Sequence, residues 1–327
     1  MDASTGLMLA LQLVALCSIA GALLLYLLCK VRAGGSARGP QPGQTKSVLV
    51  TSADTALGLQ IAIHLAERGY RVFAGMRSGE ESLSWRLAKG WSSRRAEQDL
   101  EGDEVAMGQL LPLALDVTRE DILHEAAQTL TSRLPAGENG LWAIVNTAGV
   151  VHVGRLQQQE PAQWEAMLRT NVLGVLKAAR TFLPLLTNAK GRFINIGSSS
   201  EESGEQQVCY AATRWAVEGA SQALRLELKP YGIKVVTLQP VGISTHTLFS
   251  APKEIGSRPD TPSSTSSSEC SVPISDTTEY TASVLLPSAL RTIDEALSIL
   301  NPHNSYELSN KQDSWFRRIP SLRSLKS

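Results

Sequence analysis

Ser47-Val48-Leu49-Val50-Thr51-Ser52-Ala53-Asp54-Thr55-Ala56-Leu57-Gly58 is the stretch whose reading decides the fold. It opens on a short apolar run that ends in small residues, the mark of a parallel strand buried on both faces. Residues 57–68 then take helical spacing, and Gly69 ends the helix. The same unit repeats along the chain. Residues 71–76 read as a second strand and 110–117 as a third, followed by a helix over 119–132. A fourth strand is expected at 141–145, a long helical region at 161–186 with Pro184 near its end, and a fifth strand at 192–196. Residues 207–229 read as a helix and 233–238 as a sixth strand. Strands alternating with helices predict an α/β fold with a doubly wound parallel sheet. Such sheets bind ligands outside the carboxyl ends of their strands.

Upstream of this core, residues 7–29 are almost wholly apolar, interrupted by Gln12 and Ser18. That length suits a helix across a hydrocarbon core of ~30 Å. Asp2 precedes it, whereas Lys30, Arg32, Arg38 and Lys46 follow it. The positive-inside rule therefore puts the rest of the chain in the cytosol. A cleaved signal peptide would carry its positive charge first, so the order favours an uncleaved, single-pass N-terminal transmembrane helix. The expected division is an anchor at 1–29, a Gly/Pro/Ser-rich linker at 30–46 and the main domain at 47–250. A Ser/Thr/Pro-rich segment at 251–280 is expected to be mobile. Residues 281–327 should hold a last helix, a last strand and a tail; helical spacing runs from 279 to 300, and 301–308 reads as a turn and strand. His303 in that turn reads as structural, and the basic, apolar run 315–319 as a contact for a membrane surface.

The 327 residues carry 31 Lys+Arg and 31 Asp+Glu, a net charge of zero, which gives no electrostatic case for nucleic acid. Cys17, Cys29, Cys209 and Cys270 show no metal spacing and no disulfide framework, in keeping with a reducing compartment. Cys29 sits at the expected membrane edge, where palmitoylation and an unmodified apolar cysteine are both open readings.

In Tyr210-Ala211-Ala212-Thr213-Arg214, the phenol and the guanidinium stand at i and i+4 and share a helix face. A phenol beside a fixed cation is easier to deprotonate, because the charge favours the phenolate. Ser198 precedes Tyr210 by twelve residues, at the end of the fifth strand, with Ser199 and Ser200 next to it as the other readings of the same position. Three further runs lie at strand ends or on the long helix: Asn146-Thr147-Ala148-Gly149, Asn171-Val172-Leu173-Gly174 and Pro240-Val241-Gly242. Arg77 closes the second strand; Asp116 closes the third and is also placed to cap the next helix.

Taken in order over roughly residues 47–245, these motifs resemble the short-chain dehydrogenase/reductase family. Within it, Gly140–Asn146, Thr181–Leu186 and Gly232–Val236 resemble the membrane-associated branch of retinol, 17-beta-hydroxysteroid (type 2 kind) and 3-hydroxybutyrate dehydrogenases. The resemblance implies a Rossmann fold and an oxidoreductase in which a nicotinamide handles the hydride. It implies that Tyr210 is the acid/base, that Ser198 bonds the substrate oxygen, and that Arg214 is the cation and ribose contact. Asn171 would be the helix asparagine whose backbone distortion holds a relay water. Thr51, Ser52, Ala56 and Gly58 would form the cofactor loop, Asp116 would contact adenine, and Asn146, Ala148, Gly149 and Pro240 would border the cofactor. Arg77, in place of an acidic residue, points to a 2′-phosphate, so NADP is set slightly ahead of NAD, and a solvated strand-end arginine is the other reading. The implied substrate is a lipophilic alcohol or ketone, a steroid or retinoid. The implied setting is the endoplasmic reticulum or a mitochondrial membrane, with a homodimer through the helices around Asn171 and Tyr210.

The chain departs from the family pattern at Ser52, Ala56, Thr147, Arg214 and Val241, all on the cofactor side. The loop keeps one of three glycines, and any position there needing positive φ would be strained by ~1–2 kcal/mol. Arginine keeps the charge of the family's lysine but cannot give and regain a proton as an amine can. The departures motivate a second reading, a catalytically silent member with a binding or scaffolding role, in which Arg214 lies on the helix surface.

Overall fold

The computed structural model describes residues 16, 18–24, 46–99, 108–197, 207–254, 280–281 and 284–309. Two compact units are distinguished, residues 1–38 and 39–327. In the first, Leu16 and residues 18–24 are helical and exposed. Among the described residues no helix is long and apolar enough to cross a membrane, and most of the 7–29 segment lies outside them.

The second unit opens with β1 (Ser47–Val50), α1 (Ala56–Glu67), β2 (Arg71–Met76), α2 (Leu83–Asp99) and β3 (Gln109–Ala114). It continues with α3 (Glu120–Arg133), β4 (Ala143–Asn146), α4 (Pro161–Leu168), a π-helical turn (Arg169–Leu173), α5 (Gly174–Ala189) and β5 (Arg192–Ile196). Then come α6 (Val208–Leu228), β6 (Lys234–Val241), α7 (Thr245–Phe249), β7 (Lys253–Glu254), β8 (Tyr280–Thr281), α8 (Pro287–Ser298) and β9 (Ser305–Ser309). Seven strands form one parallel sheet in the order β3-β2-β1-β4-β5-β6-β9, while β7 and β8 pair antiparallel. The chain winds outward in one direction from β1 and in the other from β4, so the crevice of the sheet falls at their carboxyl ends.

Alternation within the buried strands feeds two cores. Val48 and Val50 join Leu57, Ile61 and Leu65 of α1 and Ile293 and Leu297 of α8. Leu49 and Phe73 face the other way, onto Leu123 and Leu130 of α3 and Phe182 and Leu186 of α5. Each such side chain is worth roughly 1.5–3 kcal/mol when buried. The doubly wound parallel sheet is as the sequence pattern predicts.

Several boundaries differ from the expectation. The third strand ends at Ala114, three residues early, because Asp116 folds the chain into a turn. Helix α2 has no counterpart in the sequence reading. Its residues are mostly small or charged, and among the residues whose burial is described it gives the core Leu87 and Ala88, beside the partly buried Leu83, Trp85 and Trp91. The last helix begins at Pro287 rather than at 279: the extended Leu286 is its N-cap, and a residue before proline disfavours the helical region. Residues 280–281 are strand instead. Most of the 251–280 segment, and the 315–319 run, lie outside the described residues.

Helix α8 is bolted to the sheet by polar groups. Asp294, 5% exposed, accepts from His64 Nε2 at 2.8 Å and pairs with Arg68 at 3.0 Å, both of which belong to the end of α1. Arg192 donates to the carbonyls of Ala296 (2.8 Å) and Ile299 (2.7 Å) and lies over the Trp142 ring. Burial pushes the Arg192 guanidinium down to about 10, which still leaves it charged at neutral pH.

Candidate active site

The carboxyl ends of β1, β4 and β5 are joined by a buried relay of side chains. Thr51 Oγ1 donates to Asn146 Oδ1 at 2.8 Å, Asn146 Nδ2 to Asn195 Oδ1 at 3.2 Å, and Asn195 Nδ2 to Ser221 Oγ on α6 at 2.9 Å. Buried polar groups persist when all are bonded, and this relay fixes the floor of the crevice.

Above Thr51 the chain makes a tight turn into α1. Thr55 is the N-cap: its Oγ1 accepts from Gly58 N at 3.1 Å and donates to Ser52 O at 2.9 Å. Gly58 is required by close approach, since a Cβ there would fall 1.8 Å from Ser52 O. Thr147 Oγ1 also donates to Ser52 O, at 3.3 Å, so this departure closes the turn from the β4 side. No residue of the turn takes positive φ; among the described residues the one non-glycine that does is Lys190, at the end of α5. The condition for strain at Ser52 and Ala56, a positive φ, is therefore not met. Without the lost glycines the turn still forms, held by hydroxyls.

Arg77 stays exposed at the strand end, 46% by side chain, and is engaged in an ion pair there. Its Nε donates to Asp54 Oδ2 at 3.2 Å, and Ser52 Oγ donates to Asp54 Oδ1 at 2.6 Å. Asp116 is not a helix cap. Its Oδ1 accepts from the backbone N–H (2.8 Å) and hydroxyl (2.7 Å) of Thr118, whereas the N-cap of α3 is Arg119.

Tyr210 and Arg214 lie one turn apart on α6, 1% and 2% exposed, which rules out a surface arginine. Arg214 Nη1 donates to Ile196 O at the end of β5, at 3.0 Å. Its Cζ sits 5.3 Å from the Tyr210 ring centroid. Among the described residues, Arg214 Nε and Nη2 are buried without a hydrogen-bond partner. A buried N–H left unmade costs about 1–3 kcal/mol, and more on a charged group. Two such donors beside a phenol suit a ligand rich in acceptors, such as the hydroxyls of a ribose.

Asn171 falls inside the π-helical turn, so the backbone distortion expected around it is present. Its side chain clamps Val150 in both directions, accepting from the N–H at 2.8 Å and donating to the carbonyl at 2.9 Å. Nδ2 also donates to Thr213 Oγ1 at 3.0 Å, which in turn donates to Tyr210 O at 2.7 Å. Asn171 thus ties the strand-end loop carrying Ala148 and Gly149 to the helix carrying Tyr210 and Arg214. Ser198 lies outside the described residues; Gly197 before it is held by Leu238 O at 2.8 Å. Pro240 is buried inside β6 opposite Leu308, and Val241 extends the strand, so the chain turns at Gly242 (φ 69°).

Sequence reasoning missed α7 and the positions of Phe249 and Ser250 at its end. The Phe249 ring lies against Gly149, where a Cβ would be 2.4 Å from it. It also stands edge-on to Tyr210 at 6.2 Å, with the Arg214 guanidinium 5.3 Å from its centroid. Ser250 O accepts from Ala56 N at 2.8 Å. Thr245 Oγ1 accepts from Gln207 Nε2 at 3.2 Å. The one sequence signal is Gly242, which lets the chain double back; nothing marks where Phe249 lands. A separate recess of about 470 Å³ is lined by Lys46, Ser47, Glu138 and Trp142. It opens at the amino ends of β1 and β4, opposite this chemistry.

The family model described as short chain dehydrogenase matches residues 46–255. The chain is 34% identical over 233 residues to mouse estradiol 17-beta-dehydrogenase 2, covering 71% of this chain and 55% of that protein. It is 31% identical over 211 residues to the mitochondrial D-beta-hydroxybutyrate dehydrogenase of Rattus norvegicus, covering 64% and 58%. It therefore spans less than two thirds of the length of these relatives. A gluconate 5-dehydrogenase structure from Burkholderia cenocepacia, in complex with NADP and tartrate, shares the fold with TM-score 0.52. That likeness has 24% identity and covers 64% of this chain and 76% of the other.

Proposed function

Because the chain belongs to the short-chain dehydrogenase family, we propose that it is a nicotinamide-dependent oxidoreductase acting on a lipophilic alcohol or ketone. The observation that carries this reading is the buried Tyr210–Arg214 pair, in which the guanidinium keeps two N–H donors without a partner among the described residues. A bound nicotinamide supplies or takes the hydride. Tyr210 gives its hydroxyl proton to the carbonyl oxygen in reduction, or takes the alcohol proton in oxidation. Arg214 stabilises the phenolate and binds the ribose hydroxyls, and Asn171 is a positioning residue for both. Ser198 holds the substrate oxygen. The small Ser52, Ala56 and Gly58 leave room for a diphosphate at the start of α1, and Asp116, Ala148 and Gly149 border the dinucleotide. Arg77 supports a 2′-phosphate and Asp54 a free 2′-hydroxyl, so NAD and NADP both stay in the reading.

Steroids and retinoids are the substrate class we favour, on the likeness to an estradiol dehydrogenase and on the apolar 7–29 segment with its trailing cations. The same segment supports a single-pass anchor with the catalytic domain in the cytosol, at the endoplasmic reticulum or a mitochondrial membrane. Exposed Leu168 and Leu173, with Val208 and Trp215 (56% and 58% exposed) on α6, support pairing of two copies through these helices. A catalytically silent binding or scaffolding role is the second reading, favoured by Phe249 and Ser250, which take contacts that a cofactor would use. Turnover of steroids and retinols by wild type and Tyr210→Phe separates the two. Activity that Tyr210→Phe abolishes supports the enzyme; dinucleotide binding with no turnover of any substrate supports the silent reading.

A further inference from the structure

The geometry points to a plug: residues 245–250 close the dinucleotide crevice from inside the chain, and a dinucleotide binds by displacing Phe249 and Ser250. This rests on the reading of the crevice as a nicotinamide site. Two contacts, at the two ends of the crevice, carry it. At one end, Ser250 O accepts from Ala56 N, the first N–H of α1, at 2.8 Å. Such an N–H is where the end of a helix receives an anion. A phosphate oxygen and a carbonyl oxygen cannot both occupy it. At the other end, the Phe249 ring lies between Gly149, Tyr210 and Arg214. The ring gives the guanidinium, 5.3 Å from its centroid, a cation–π contact in place of hydrogen bonds, which leaves Nε and Nη2 unpartnered among the described residues.

The segment is built to be released. Helix α7 has five residues, and its N-cap, Ser244, makes no side-chain capping bond. Gly242, at φ 69°, provides a hinge on its near side. Phe249 and Ser250 are half-buried, whereas Leu248 beside them is fully buried and Thr245 is held by Gln207. Those two anchors would stay while the last two residues swing away. In the closed form the plug fills the crevice, so the apparent dinucleotide affinity is the intrinsic affinity multiplied by the open fraction.

The test uses the full chain as wild type, Phe249→Ala and Phe249→Leu, titrated with NADH and NADPH by cofactor fluorescence. Amide exchange is followed in parallel in the peptide containing Ala56. The plug predicts faster exchange at Ala56 in Phe249→Ala and dinucleotide binding tighter by roughly 10- to 100-fold, with Phe249→Leu between. It also predicts that dinucleotide raises exchange at 245–250 in the wild type. Equal affinity in all three chains, with 245–250 unmoved by dinucleotide, overturns the plug and leaves the nicotinamide reading intact. No binding to any chain, although Ala56 exchange rises in Phe249→Ala, overturns both, since an opened crevice that takes no dinucleotide is not a nicotinamide site.

Discussion

Arg214 concentrates the chemistry of this chain in one side chain. It is 2% exposed, bonds the end of β5 through Nη1, and faces the Tyr210 and Phe249 rings at 5.3 Å each. Lysine would restore the amine but lose the bond to Ile196 O, because a shorter point charge cannot span both contacts. Arg214→Met should weaken NADH binding by at least tenfold in Kd, while thermal stability holds or rises, since a buried charge with unmade bonds is removed. A normal Kd in that variant would place the ribose elsewhere. Asp54 offers a second test at this scale. Its carboxylate holds Arg77 at 3.2 Å; Asp54→Asn should free the guanidinium and shift the NADPH-to-NADH affinity ratio several-fold toward NADPH, as read by competitive titration. The Tyr210 and Arg214 pair was legible in the sequence because i, i+4 spacing on a helix is a local rule. Phe249 was not legible: it meets Gly149 and Tyr210 across long separations that no local pattern encodes. The pairing of Arg77 with Asp54 was hidden for the same reason, as the two residues come together only once β1 and β2 lie side by side.

Among the elements, the buried parallel strands were the most legible, because a strand covered on both faces is a nearly continuous apolar run. Helix α2 was not, since its residues are mostly small or charged and carry little helical periodicity. Helix α8 was readable as an element but not at its start, where Pro287 sets the boundary. How α8 is fastened could not be read at all: Asp294 sits 230 residues from His64, its partner at 2.8 Å. Asp294→Ala should cost about 2–3 kcal/mol in urea unfolding, less than a fully buried ion pair because Arg68 is 43% exposed. The double variant with His64→Ala should lose less than the sum of the single losses. Strict additivity would mean that the pair does not hold α8 to α1.

For the molecule as a whole, the doubly wound sheet organises the chain around one crevice, and its stability carries a pH signature. Burial, reinforced by the charge of Asp294, pushes the Tyr70 hydroxyl from 10.0 up to about 12. Between those values the unfolded chain has released this proton and the folded chain still holds it. The unfolded state then binds fewer protons, so stability falls as pH rises from 10 to about 12. Tyr70→Phe should remove roughly 2–3 kcal/mol of that alkaline loss, measured as the difference between the two unfolding curves across the window. The family and fold follow from the matched span of 46–255 and the strand order, while the chemistry turns on whether the altered crevice still receives its cofactor. The most direct measurement is a fluorescence titration of the full wild-type chain with NADH and NADPH. We predict saturable binding of at least one of them below millimolar concentration, competed by the oxidised form; fluorescence that rises without saturation through millimolar cofactor would contradict the assignment of this crevice to a nicotinamide dinucleotide.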